Sequence, residues 1–163
     1  MIEIVAGVVS PEETDALAAM VELPPPGGSA CRSMPYSVVD PTAGDVPRQL
    51  KYLLNQVRVR SIEIVQRATG TQRLYPASTT LRLSPGEVGP RGREDPDWWS
   101  AYKAVVPLDV DSRARTPGRD DPVSVGSLAF AEATTTWSIV PESDGPWLSV
   151  TITLTDQLEK CEL

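Results

Sequence analysis

Trp147-Leu148-Ser149-Val150-Thr151-Ile152-Thr153-Leu154 decides the fold. Leu148, Val150, Ile152 and Leu154 alternate with Trp147, Ser149, Thr151 and Thr153. A period of two puts the first set on one face of a strand and the second on the other. One face is aliphatic, the other small and polar beside its tryptophan, and in a barrel or sandwich one of them lines the interior. Upstream, everything after Gly70 has the same character: short runs rich in Val, Ile, Thr, Leu and Trp between Pro/Gly/Asp turns. The 16 prolines and 11 glycines fall in blocks between these runs, as turns require.

The first seventy residues read differently. Leu50, Leu53, Leu54, Val57, Ile64, Val65 and Ala68 form a stripe of period 3.6, with Asp45 and Pro47 ahead of it and Gly70 behind. This predicts a long helix over 46–69. Ile2–Val9 predicts a strand. Ser10-Pro11-Glu12-Glu13 then starts a short helix, with Ser10 as cap, Pro11 in the first turn and Glu13 closing a capping box. Leu17, Met20 and Val21 follow at helical spacing, and Pro24-Pro25-Pro26-Gly27-Gly28 stops the helix. No repeat or low-complexity tract divides the 163 residues, so 1–163 is a single domain of α+β class.

The charge balance removes several functions. Lys plus Arg is 15 and Asp plus Glu is 22, giving 15 − 22 = −7. Nucleic acid and anionic membranes would be repelled, so neither is expected as a partner. The apolar runs are far shorter than the ~20 residues that span a bilayer. Glu3 and the lack of an apolar leader leave no visible signal peptide. The expectation is a soluble protein, cytoplasmic or part of a virion assembled there. Cys31 and Cys161 are too few for a disulfide scaffold and read as ordinary small residues.

Histidine is absent. That removes Ser–His and Cys–His nucleophiles and the commonest metal ligand. Gly86-Glu87-Val88-Gly89 lacks the Lys of a phosphate loop and reads as a turn. The pairs Asp109/Asp111 and Asp120/Asp121 read as solvated surface. Arg113, Arg115 and Arg119, flanked by Asp111, Asp120 and Asp121, read as a self-neutralising loop.

Several blocks carry a family resemblance. Ile4–Leu17 resembles the opening of prolyl-4-hydroxylase-type 2-oxoglutarate/iron oxygenases, a strand followed by a Ser-Pro-Glu-Glu helix start. Leu81–Pro90 is similar to the strand leading into that family's first metal motif, and Tyr102–Asp109 to the next strand. Gly126–Phe130 resembles the strand before the second ligand. Trp137–Pro141 and Gly145–Ser149 resemble the final strand pair. The resemblance implies a double-stranded β-helix, or jelly-roll, with the long and the short helix packed on one side.

It also implies where function has changed. The family holds iron with His-x-Asp and a distal His, and its cosubstrate with an Arg or Lys near the last strand. Here the first motif aligns with Arg91-Gly92-Arg93, the distal His with Trp137 and the basic residue with Trp147. Arginine does not ligate metals, and its charge opposes them. Glu94, Asp95 and Asp97 read as an acidic loop that Arg91 and Arg93 partly neutralise. The chain therefore reads as a degenerate relative with no metal site and no cofactor.

The vestigial pocket would comprise Arg91, Arg93, Tyr102, Trp137, Trp147 and Ser149. Trp137 and Trp147 are expected to be buried in the sandwich interior with Ser149 beside them. Trp98 and Trp99, adjacent in a Pro/Asp-rich turn, are candidates for contact with a partner, because tryptophan is enriched at interfaces. Two function classes fit. In one, a pseudoenzyme serves as a binding or assembly component with a protein partner, as in a virion or heteromeric complex. In the other, a cofactor-independent isomerase or cyclase acts on a small apolar ligand, with Arg91, Arg93 and Tyr102 supplying charge or a proton.

Overall fold

Ser10 and Glu13 close their capping box: the Glu13 N–H donates to Ser10 Oγ and the Ser10 N–H to Glu13 Oε1, each at 3.2 Å. Two orphan amides of the first turn are thereby satisfied. Helix α1 (Pro11–Met20) follows and buries Thr14 and Leu17. This computed structural model describes residues 2–20, 33–35, 48–82, 86–88, 100–143 and 147–161. Helix α2 (Arg48–Thr69) matches the apolar stripe and buries Leu50, Leu54, Val57 and Val65.

Among the described residues ten strands make two antiparallel sheets. They are β1 (Glu3–Val5), β2 (Ser33–Pro35), β3 (Tyr75–Arg82), β4 (Gly86–Val88), β5 (Ser100–Pro107), β6 (Ser112–Thr116), β7 (Arg119–Val123), β8 (Leu128–Glu132), β9 (Trp137–Pro141) and β10 (Ser149–Thr155). The larger sheet runs β1-β8-β5-β10-β3-β2 and the smaller β4-β9-β6-β7. Consecutive strands from β3 to β6 alternate between sheets, which is the winding of a jelly-roll. The fold is thus α+β with a double-stranded β-helix.

β10 is central in the larger sheet, paired with β3 and β5 along its length. Its alternation is realised as two cores. Val150, Ile152 and Leu154 pack with Leu17, Leu54, Val57 and Val65 on the helix side. The opposite face of the sheet meets the smaller one around Val105, Ala114, Ala129, Ala131 and Ile139. Both helices therefore cover one side and leave the other for the sandwich interior.

Three expectations are corrected. The first strand covers only Glu3–Val5, because Gly7, at φ +72°, turns the chain. Val8 and Val9 are then buried, with the Val9 N–H donating to Gly126 O at 3.0 Å. Gly86–Val88 is a strand rather than a turn, pairing with Trp137–Ile139, a partner that local sequence does not reveal. The arginine-rich loop is a hairpin, β6–β7, joined at Pro117-Gly118 with Gly118 at φ +81°. Proline followed by a positive-φ glycine suits a type II turn.

Candidate functional site

Trp137 opens β9, two residues before Ile139, so the two share a face. Ile139 lies opposite Ala114, and Trp137 joins Val105, Ala129 and Ala131 from the other sheet. Its side chain therefore lies between the sheets, at 4% exposure. Trp147, just before β10, joins the same cluster at 1%. Ser149 is fully buried on that side of β10, since Val150 takes the helix side. The structure thus brings Trp137, Trp147 and Ser149 to one interior.

Tyr102 does not belong there. It lies opposite Leu154 and packs against the helix-side core, so it leaves the pocket assigned to it from sequence. The next residue, Lys103, takes the interior face opposite Thr153 and Ala131. Arg91, Arg93, Trp98 and Trp99 lie outside the described residues, as do Cys31, Glu94, Asp95 and Asp97. Thr151, opposite Val105, and Lys103 were not among the sequence candidates. The alternation of β10 signalled Thr151; Lys103 has no comparable signal in its nearly continuous apolar run.

Polarity within this interior is unevenly met. Trp137 Nε1, Trp147 Nε1, Ser149 Oγ and Thr151 Oγ1 are buried without a hydrogen-bond partner among the described residues. At the margin, the Leu148 N–H donates to Asp109 Oδ1 at 2.8 Å. Burial pushes the Asp109 carboxyl above its ordinary value, against the opposing pull of backbone N–H groups at Leu148, Asp109 and Val110. Asp111 Oδ1 instead accepts the Val125 N–H at 2.8 Å. These two acids brace loops and do not form a pair with each other in any hydrogen bond. On the hairpin, Arg113 meets Asp120 and Arg119 meets Asp121, each at 2.7 Å. Arg115 reaches Asp120 and Arg113 reaches Glu142 at 3.5 Å, so the charges neutralise one another there.

Iron would require donors that the described residues lack. The indole nitrogen at Trp137 carries a hydrogen and offers no lone pair to a metal. Among the described residues no group of three or more His, Cys, Asp or Glu could hold an ion. A second indole, Trp147, occupies the position that the resemblance gives to the cosubstrate's cation. The described residues do not by themselves supply the donors of an iron–2-oxoglutarate centre.

Neither a protein-family model nor a curated protein sequence matches the chain. Solved structures do. The viral collagen prolyl hydroxylase of Paramecium bursaria chlorella virus 1 aligns with a TM-score of 0.60 at 10% identity, over 96% of each chain. A prolyl-4-hydroxylase of Pseudomonas putida gives 0.56 at 16%, over 96% of this chain and 92% of that one. The α-ketoglutarate-dependent carbocyclase of nogalamycin biosynthesis gives 0.63 at 13%, over 95% and 80%. The chain has the fold of the 2-oxoglutarate/Fe(II) oxygenases, and at these identities the likeness shows the fold alone. Among the described residues no helix is long and apolar enough to cross a membrane.

Proposed function

We propose that this chain uses the oxygenase fold without oxygenase chemistry, as a non-catalytic, metal-independent component that binds a protein partner or joins an assembly. The observation that supports this most is Trp137. A buried indole opens the strand where the resemblance calls for an iron ligand, and Trp147 does the same for the cosubstrate residue. The net charge of −7 favours a protein partner over nucleic acid. Cofactor-independent chemistry on a small apolar molecule loses Tyr102 as a candidate proton donor, since Tyr102 packs toward the helices, while Arg91 and Arg93 lie outside the described residues.

The test is succinate release with Fe(II), ascorbate and 2-oxoglutarate, with and without a prolyl peptide of the kind the structural neighbours' names suggest. No succinate above an iron-only background is expected, alongside a stoichiometric protein contact by cross-linking in the native cell. Turnover coupled to 2-oxoglutarate would overturn the proposal.

A further inference from the structure

Four buried polar atoms in the sandwich interior have no hydrogen-bond partner among the described residues: Trp137 Nε1, Trp147 Nε1, Ser149 Oγ and Thr151 Oγ1. Buried polar groups are paired in roughly nine cases in ten, so four on one interior point to a partner that is missing. Their residues share one interior. Ser149 and Thr151 are successive inward residues of β10, lying opposite Pro107 and Val105, and both indoles pack in the cluster that contains Val105. Indole N–H groups only donate, and hydroxyls donate as readily as they accept. The set as a whole therefore calls for acceptor atoms.

Charge narrows the ligand class. Along this stretch of β10 the described inward residues are hydroxyls, and Lys103 stands farther along, opposite Thr153. An anion at the Trp147–Ser149 end would meet no cation among the described residues there. An apolar molecule would leave all four groups unsatisfied. We propose that the interior binds a small neutral molecule bearing carbonyl or amide oxygen, held by the indole N–H groups of Trp137 and Trp147 and the hydroxyls of Ser149 and Thr151. This differs from the apolar ligand expected from sequence, because the inward face of β10 is hydroxylic. Both indoles are almost closed to solvent, so binding requires the interior to open and association is slow. The site rests on the metal-independent reading.

The test is a titration of the full ¹⁵N-labelled chain with N-methylacetamide, acetate or benzene, without iron or 2-oxoglutarate, followed at the indole Hε1 resonances. Trp137→Phe and Trp147→Phe assign those signals. N-methylacetamide is expected to shift both saturably. Thr151→Val and Ser149→Ala each weaken it about tenfold, the loss of one good hydrogen bond. Thr151→Val preserves shape and carries the test if Ser149→Ala fails to fold. Equal response to benzene or acetate would overturn the proposed ligand class. So would no response to any probe with long-lived water contacts at both indoles. Binding that appears only once iron and 2-oxoglutarate are added would instead overturn the metal-independent reading, and this site with it.

Discussion

Gly126 is held by one atom of the opposite segment. It has φ +82°, and a Cβ built on it would overlap the Val9 carbonyl oxygen. Gly118 has nearly the same φ, +81°, with nothing within 4 Å. The pair separates backbone strain from overlap. Gly118→Ala is expected to cost about 1 kcal/mol, and Gly126→Ala about 3 kcal/mol, since it must also break the Val9–Gly126 contact. Urea unfolding of both variants checks this, and equal costs would contradict it. Trp147 is the larger case. Removing a buried indole leaves a cavity, so Trp147→Ala is expected to cost about 3–5 kcal/mol, with Trp137→Ala in the same range. Losses below about 1 kcal/mol for both would contradict a packed interior. Burial of Trp147 and Ser149 was legible because β10 alternates strictly. Tyr102 was misplaced because Ala101-Tyr102-Lys103-Ala104-Val105-Val106 packs on both faces and carries no clear period.

At the scale of elements, helix signals were read correctly, while the end of the first strand and distant pairing were not. Helix α1 announces itself within four residues, and its capping box forms as those residues require. Strands β4 and β7 do not announce themselves. Gly86–Val88 becomes a strand only because β9, some fifty positions later, pairs with it. The Arg/Asp composition of β6–β7 reads as loop, yet cross-strand ion pairs are what that composition supplies. An ion pair adds to the apolar packing between the two helices: Arg60 Nη1 donates to Glu13 Oε1 at 2.8 Å, and also to Val8 O at 3.1 Å. Arg60's hydrogen bond, more than any other influence, holds the Glu13 carboxyl below its ordinary value of 4.5. The folded state thus binds this proton less readily than the unfolded chain. The resulting stability is present above pH 4.5 and is lost as pH falls through the lowered folded value. Arg60 is 38% exposed, which discounts the gain. Glu13→Gln should cost only about 0.5 kcal/mol at neutral pH. Thermal melts from pH 7 to pH 2 should show that difference closing in acid; a constant difference would contradict the assignment.

For the whole molecule, strand order decided more than any single motif. No family model matches the chain, yet its blocks follow the order of the oxygenases, and the sheets wind as that order implies. The fold was legible because alternation and helical periodicity survive when functional residues change. The candidate site was legible only through the resemblance, which sets indoles where that family carries a metal ligand and a cosubstrate cation. The ligand proposed for the interior follows only from hydrogen bonds left unmade among the described residues of two sheets. The central claim, that this fold works here without iron, is tested most directly by metal content. Protein purified natively from iron-replete cells, and separately after incubation with Fe(II) and 2-oxoglutarate under nitrogen, should contain iron well below one atom per chain by elemental analysis. Iron retained at one atom per chain through gel filtration would contradict it.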